Sequence, residues 1–318
     1  PGAMRDGDEL VGYGCASAFY PTQMGPADGR VTLTPDGRAV VEIGTHEIGT
    51  GIRTVLAQVA ADLLDLTIDQ VDVRIGDSDL PATPLSAGSN STATCSTVIA
   101  KACVTLRDRL AKARRGNEPI AATIRRAGRG RPMVAKATNT PHGLPPIIGP
   151  AMIRRGTLIL KGGSTLKDRL QFAFGAQFVE VRIDRHTGQI RVPRVIGAFA
   201  GGRIMNRRTA TAQLTGGQLW GVSSALFEAT ELDARTARYM NANLAEYHVP
   251  VNADIDRIEA HIVDEVDTEV NPLGIKGVGE LGTTGVNAAV ANAVFHATGV
   301  RVRRLPIRIE DVLPAVPS

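Results

Sequence analysis

The 318-residue sequence is poor in side chains that could form a metal cluster or a disulfide. Its three cysteines, Cys15, Cys95 and Cys103, form no C-x-x-C pair, and its six histidines include no pair at zinc-ligand spacing. Cys95 and Cys103 are predicted to share a helix about 12 Å apart, which is too far for a disulfide. We therefore expect buried thiols in a reducing compartment, no iron–sulfur cluster on this chain and no metal held by protein side chains.

Long apolar runs are also missing. No run approaches the roughly 20 residues that span a bilayer, and the first residues lack the apolar core of a signal peptide. A composition of 43% hydrophobic and 21% charged residues is typical of a globular protein. We expect a cytoplasmic protein without membrane contact, or a periplasmic one if a partner subunit carries an export signal.

Nucleotide and nucleic-acid signatures are absent or weak. The chain has no G-x-G-x-x-G opening a βαβ unit and no phosphate-binding P-loop. Its net charge of +4 is concentrated in residues 107–136, where ten Lys or Arg face two acidic residues. Charge alone would allow nucleic-acid binding, but that stretch has no aromatic residue for base stacking. We expect a solvated helix end and loop that face an acidic partner subunit.

The same order of predicted elements, a β-hairpin followed by a loop and a helix, occurs twice along the chain. Residues 30–43 predict a β-hairpin with a Gly-containing turn, and an apolar stripe at a period near 3.6 predicts a helix over 52–64. Residues 178–199 predict a second hairpin, which a helix over about 209–228 follows. The repeated plan predicts an α+β fold of two related halves with Gly-rich cofactor-binding loops between them.

A Gly-, Pro- and Arg-rich region over 116–165 separates the halves, and Leu144-Pro145-Pro146 within it cannot lie inside a regular element. We place the division between 1–140 and 141–318. A last helix is predicted over 286–298, ending at Gly299, and a closing strand over 301–309.

The segment Gly274-Ile275-Lys276-Gly277-Val278-Gly279-Glu280-Leu281-Gly282 is the most informative stretch. Glycines let a backbone take positive φ and approach a ligand closely. A carboxylate held there away from water would have a raised pKa and could act as a base. The alternative is a Gly-rich turn with a solvated glutamate.

Two further loops precede predicted helices. One ends in Gly49-Thr50-Gly51, and the other contains Gly88-Ser89-Asn90-Ser91-Thr92. Backbone N–H groups at a helix N-terminus attract phosphate, although ordinary Ser/Thr capping would explain each loop alone. Two such loops together with the glutamate loop favour a bound anionic cofactor.

These segments resemble those of a known enzyme family. Residues 41–51, 85–92, 199–206 with Gln213, and Lys276-Gly277-Val278-Gly279-Glu280 are similar, in family order, to motifs of the molybdenum hydroxylases, the xanthine dehydrogenase and aldehyde oxidoreductase family. The resemblance covers nearly the whole chain, and it is strongest to bacterial aldehyde oxidoreductases that use molybdopterin cytosine dinucleotide. Two positions depart from the pattern, because many members carry glutamine at Thr50 and aspartate at Ala200.

The resemblance implies a site and a reaction. Glu280 would deprotonate a Mo–OH group that attacks an aldehyde carbon while hydride moves to Mo=S, giving a carboxylic acid. Gln213 would contact the pterin. The remaining cofactor-binding residues implied are Gly49, Thr50, Gly51, Gly88, Ser89, Asn90, Ser91, Thr92, Lys276, Gly277, Val278 and Gly279.

The resemblance also implies partners. Family large subunits are more than twice as long, so this chain resembles only their C-terminal part: an expressed fragment, a truncated product or one piece of a split subunit. The N-terminal half of the molybdenum subunit, a 2Fe–2S subunit and an FAD subunit are expected partners. An N-heterocycle hydroxylase, a carbon monoxide dehydrogenase-like subunit and a non-catalytic scaffold domain are the alternatives.

Overall fold

A computed structural model describes residues 1–141, 144, 148–157, 159–166 and 168–313. Its strands are β1 (Arg5–Asp6), β2 (Glu9–Pro21), β3 (Gln23–Met24), β4 (Ala27–Leu33), β5 (Ala39–Glu42), β6 (Val71–Arg74), β7 (Met133–Asn139), β8 (Lys161–Gly162), β9 (Phe172–Asp184), β10 (Ile190–Ala200), β11 (Leu232–Asp233), β12 (Arg238–Tyr239) and β13 (Arg257–Ile262). Its helices are α1 (Ile52–Leu64), α2 (Ser91–Ala113), α3 (Ile120–Ala127), α4 (Ile148–Arg154), α5 (Arg207–Leu226), α6 (Val286–Thr298) and α7 (Ile309–Val312), with a 3-10 helix at Ile68–Gln70.

The strands form two larger sheets with helices on them. One sheet has the order β1-β2-β9-β10-β13 and the other the order β6-β5-β4-β7. β2 and β9 pair antiparallel along their whole length, whereas β13 joins β10 in parallel. β3 with β8 and β11 with β12 form small two-stranded sheets. This mixture of parallel and antiparallel strands with helices confirms the predicted α+β fold.

The first core lies between the four-stranded sheet and helices α1 and α2. The predicted stripe on α1 is confirmed, because Ile52, Val55 and Val59 are buried there. Cys95 and Cys103 are buried in α2 as expected, and burial raises the pKa of each thiol to about 12. The expectation for Cys15 is wrong, since strand alternation places it on the exposed face of β2.

The second core lies between the five-stranded sheet and helices α5 and α6. Gly12 and Gly14 on β2 meet α6 directly: a Cβ at Gly14 would stand 1.9 Å from the carbonyl oxygen of Ala289. α6 is Ala-rich on the facing side, with Ala289 and Ala293 fully buried. Small residues on both elements therefore let the helix backbone lie against the strand.

The repeated hairpin–loop–helix plan is present as β4-β5-α1 and as β9-β10-α5. The division between 1–140 and 141–318 stays a prediction. The pairing of β2 with β9 adds that residues 9–21 belong to the sheet of the second half. Pro145 and Pro146, the two prolines expected to interrupt regular structure, lie outside the described residues.

The basic stretch at residues 107–136 covers the end of α2, α3 and the start of β7. The Arg126 guanidinium lies 2.6 Å from the Glu118 carboxylate and lowers its pKa to about 2. Arg114 donates to the backbone carbonyl of Glu118. These two arginines therefore bond to Glu118, which lies between α2 and α3. An acidic partner subunit facing the basic stretch stays a prediction.

The predicted last helix is confirmed at Val286–Thr298, with Gly299 following it at φ 79°. The predicted closing strand over 301–309 is wrong, because residues 301–308 form irregular backbone that leads into α7. Pro306 has no N–H for a strand ladder, and the Ile307 N–H donates to the carbonyl of Ala225 at the end of α5. In the described ranges, no helix combines the length and apolarity that a membrane span requires.

We predict that Gly14→Ala lowers the free energy of unfolding by about 3 kcal/mol, because the new methyl group would overlap the α6 backbone. Urea unfolding measures the loss. Gly216→Ala is the control, since the position lies in α5 with open space around an added Cβ, and we expect it to be stabilising by about 1 kcal/mol. Equal stability of Gly14→Ala and wild type would contradict the packing described for α6.

Candidate active site

A cavity of about 400 Å³ lies where helices α1, α2 and α5 begin. Its lining residues come from these helix starts, from β2 and from the 274–282 loop: Tyr20, Ile48, Thr50, Val55, Ser86, Ala87, Gly88, Ser89, Ser91, Thr92, Arg203, Ile204, Met205, Asn206, Thr209, Ala210, Gln213, Ile275, Lys276, Val278, Gly279 and Glu280. Helix N-termini carry partial positive charge and free N–H groups. The cavity is therefore suited to an anionic ligand.

The first N–H groups of α2 have no side-chain cap. The side chain of the N-cap residue, Asn90, accepts the hydroxyl of Thr94 at 3.4 Å but no backbone N–H of the helix, and its amide donates to the carbonyl of Leu85 at 3.0 Å. Ser89 precedes it at a left-handed φ of 59°. Ser91 and Thr92, in the first turn of α2, line the cavity. The predicted phosphate loop therefore ends in a helix start without a side-chain cap.

The loop before α1 was expected to offer its N–H groups to an anionic cofactor, but a side chain of the protein accepts them. The Glu47 carboxylate accepts N–H bonds from Gly49 at 3.0 Å, Gly51 at 2.9 Å and Arg53 at 3.1 Å. Burial alone would raise the pKa of Glu47, but these backbone donors together hold it below its usual value. The backbone donors of this loop are therefore taken by a protein carboxylate. Contact of Gly49, Thr50 and Gly51 with the pterin stays a prediction.

The start of α5 is capped and tied to α1. Asn206 accepts from the N–H of Thr209 at 3.1 Å and donates to the side chain of Gln58 in α1 at 3.1 Å. One turn further, Gln213 donates from Nε2 to the carbonyl of Gly279 at 2.6 Å. Gln213 therefore joins α5 to the glutamate loop and leaves its second amide hydrogen for the cavity.

The glycines of the glutamate loop face protein backbone and side chains. A Cβ at Gly279 would stand 2.5 Å from Ser89 Oγ, and a Cβ at Gly282 would stand 2.3 Å from the carbonyl oxygen of Leu214. The Gly279 N–H also donates to Ser89 Oγ. Gly274 alone among the glycines of 274–282 takes a left-handed φ, of 69°. Their main role in this structure is close packing between the Ser89 loop and α5.

Glu280 lies at the edge of the cavity and is exposed, so the expectation of a carboxylate away from water is wrong for this chain. The adjacent Leu281 turns into the core and is fully buried, which directs Glu280 outward. Its Oε2 accepts a hydrogen bond of 2.5 Å from the hydroxyl of Tyr20 on β2. Burial first, and then this bond to Glu280, raise the pKa of Tyr20 to about 12.

Lys276 is buried below the loop in an ion-pair network. Its ammonium group lies 2.6 Å from Glu265 and 3.1 Å from Asp267. Burial would lower the pKa of Lys276, but the two carboxylates outweigh it and raise the pKa. Glu265 also accepts the Gly202 N–H at 3.1 Å. The network therefore fastens the glutamate loop to the loop that follows β10, and a cofactor contact of Lys276 stays a prediction.

The structure brings most of the predicted site residues to one cavity. Thr50, Gly88, Ser89, Ser91, Thr92, Gln213, Lys276, Val278, Gly279 and Glu280 line it, whereas Gly49, Gly51, Asn90 and Gly277 are not among its lining residues. Sequence reasoning missed Tyr20 and Glu265, whose roles depend on contacts across the fold, and Glu47, whose contacts are local. A signal existed for Glu47 alone, because a carboxylate four residues before Gly51 is a local helix-start pattern.

The donor set fits a cofactor that brings its own metal ligands. Among the described residues, no group of three or more His, Cys, Asp or Glu side chains could hold a metal ion. The cavity instead offers hydroxyls, an amide and a helix start without a side-chain cap. Such groups bind phosphate and heterocycle edges.

The sequence of residues 1–256 matches the family model described as "Molybdopterin cofactor-binding domain". The chain belongs to this family. It is 38% identical over 322 aligned residues to the aldehyde oxidoreductase molybdenum-binding subunit PaoC of Escherichia coli O157:H7, and 35% identical to PaoC of strain K12. Both alignments include the whole chain and 42% of the relative, so the chain spans less than half the length of these relatives.

Solved structures share the fold of this family member. The aldehyde oxidoreductase of Desulfovibrio desulfuricans matches 98% of the chain with a TM-score of 0.76 and 23% identity, over 33% of its own length. Quinoline 2-oxidoreductase of Pseudomonas putida matches 97% of the chain with a TM-score of 0.78 and 20% identity, over 42% of its own length. At these identities the likeness concerns the fold.

Replacing Glu47 tests whether its carboxylate stabilises the start of α1 by accepting the N–H groups there. Glu47→Ala would leave the N–H groups of the first turn without their acceptor, and we expect a loss of about 1 kcal/mol in unfolding free energy at pH 7. Because the folded pKa lies below the usual 4.5, the contribution is present above that pH and is lost as the pH falls through the folded value. Urea unfolding at several pH values should show a difference that shrinks under acid. Asp62→Ala, an exposed carboxylate on α1, is the control; a pH-independent loss would refute this role of Glu47.

Replacing Lys276 tests the network below the loop. Lys276→Met would leave the carboxylates of Glu265 and Asp267 without their cation, and we expect a loss of about 2 kcal/mol, below the cost for a fully buried pair because both remain partly exposed. Since the folded pKa is raised, the wild-type advantage is complete below pH 10.5 and fades as the pH rises through the folded value. Thermal unfolding measures it, with Lys112→Met on the exposed end of α2 for comparison. Equal effects of the two variants would argue against the network.

Proposed function

We propose that this chain is the C-terminal portion of the molybdenum subunit of an aldehyde oxidoreductase, and that its cavity binds molybdopterin cytosine dinucleotide. One observation carries the proposal. Glu280 and the α2 start, which lacks a side-chain cap, border the same cavity, so a base and an anion site lie together. The similarity to PaoC supports aldehydes as the substrate class.

The phosphates of the dinucleotide would lie at Gly88–Thr92, where Ser91 and Thr92 line the cavity and the first turn of α2 has no side-chain cap. Gln213 would donate its second amide hydrogen to the pterin. Thr50 would approach the pterin from α1. When bound, the cofactor supplies a molybdenum centre for two-electron redox chemistry.

Glu280 would act as the general base. Its Oε2 is occupied by Tyr20, and within the described part of the chain no side-chain or backbone donor bonds to Oε1. Oε1 is therefore the atom that would take a proton from the reacting oxygen and release it to solvent through the open edge of the cavity. The Lys276 network and Gln213 would keep the loop in place during this transfer.

The partners belong to the same proposal. Oxidation of an aldehyde leaves two electrons to be removed, and 2Fe–2S and FAD subunits would take them. The N-terminal half of the molybdenum subunit would complete the substrate pocket. Two buried thiols, Cys95 and Cys103, support a reducing compartment and a cytoplasmic location.

Glu280→Gln in the assembled complex tests the proposal. We expect aldehyde turnover to fall by at least about a thousandfold, because the amide cannot accept the proton, while molybdenum content stays near that of wild type. Stopped-assay kinetics and metal analysis measure the two quantities. Glu228→Gln is the matched control, since Glu228 also accepts a tyrosine hydroxyl but lies outside the cavity lining. Wild-type turnover in Glu280→Gln would remove Glu280 from the mechanism.

A further inference from the structure

Tyr20 is the described residue whose side chain bonds directly to the carboxylate of Glu280. It stands near the end of β2, opposite Ala173 of β9, and 260 positions from Glu280 in the sequence. Its ring packs against a buried apolar cluster that includes Phe199, Leu214 and Leu281. Strand and cluster together fix the direction in which the hydroxyl points.

We propose that Tyr20 is a positioning residue for Glu280: its hydroxyl holds Oε2 by a hydrogen bond and leaves Oε1 as the proton-accepting atom. The inference rests on the proposed function. A hydrogen bond to a charged acceptor is stronger than one between neutral groups. The bond from Tyr20 therefore holds the carboxylate of Glu280 in one orientation.

Tyr20 keeps its hydroxyl proton over the pH range in which an enzyme works. Its pKa of about 12 results from burial and from Glu280, so the phenol remains a donor well above neutral pH. The other charged side chains lining the cavity are Arg203 and Lys276, and the Lys276 ammonium is held by Glu265 and Asp267. Tyr20 is thus the described group that holds the base in place.

Glu280 is exposed, and this gives the hydrogen bond its importance. A solvated glutamate side chain samples several rotamers, each with a different direction for its lone pairs. One fixed oxygen removes most of that freedom. Loss of the phenol should therefore reduce the rate of proton transfer more than it reduces substrate binding.

The test is Tyr20→Phe in the assembled complex, with steady-state kinetics on an aldehyde from pH 5 to 10. We expect kcat to fall by about ten- to a hundredfold with KM changed by less than about threefold, because the ring stays and only the donor is lost. Tyr247→Phe is the matched control, because the Tyr247 hydroxyl donates a hydrogen bond of 2.8 Å to Glu228 and neither residue lines the cavity.

A second measurement does not depend on turnover. In the chain labelled with 13Cζ-tyrosine, the resonance that Tyr20→Phe removes should stay constant from pH 8 to 11 in wild type. In Glu280→Ala, the same resonance should differ from wild type already at pH 8, because the phenol has lost its acceptor. It should also begin to titrate at a lower pH than in wild type, because the part of the raised pKa caused by Glu280 is gone while the larger part caused by burial remains. Thermal unfolding of Tyr20→Phe near the wild-type midpoint excludes a folding defect.

Each outcome has one meaning. A kcat of Tyr20→Phe equal to that of wild type and of Tyr247→Phe would overturn the positioning role, as would a Tyr20 resonance that is unchanged by Glu280→Ala. An intact, molybdenum-containing wild-type complex that oxidises no aldehyde would instead contradict the proposed function, and the resonance would still decide whether the pair exists.

Discussion

Close backbone contact at the glycines of the glutamate loop is the constraint on which the site depends. The loop fits between the Ser89 segment and α5 because Gly279 and Gly282 have no Cβ to fill the space. This contact brings Glu280 beside the start of α2, and Gln213 and Lys276 then fasten the loop from two sides. Larger residues there would push apart the elements that form the cavity, even if every polar side chain were kept.

The distribution of charge follows from the same arrangement. Three helix starts converge, and their partial positive charges would repel one another without compensation. Glu47 satisfies α1 and Asn206 caps α5, whereas α2 has no side-chain cap. The start of α2 is therefore the one of these three helix starts without a side-chain acceptor for its N–H groups. The carboxylate of Glu280 lines the same cavity.

Local patterns predicted much of the fold. The bounds of α1 and α6 follow from an apolar period and from glycine at helix ends, because both signals lie within a few residues. Contacts across the fold had no such signal: Tyr20 and Glu280 are separated by 260 positions, and nothing near either one indicates the other. The 301–309 segment was predicted as a strand, but the N–H of Ile307 bonds to the carbonyl of Ala225 at the end of α5. The glycines of the glutamate loop were expected to let the backbone approach a ligand. In the structure Gly279 and Gly282 pack against Ser89 and Leu214, and these partners depend on tertiary structure.

The proposed function requires a molybdenum cofactor bound in this cavity. The most direct measurement is the molybdenum content, and the cytidine monophosphate released by acid hydrolysis, of the intact complex that contains this chain. We expect both near one equivalent per chain. Molybdenum without cytidine monophosphate would mean that the cofactor is not the cytosine dinucleotide. The absence of both from an intact complex would contradict the proposed function and leave Glu280 as an ordinary loop residue.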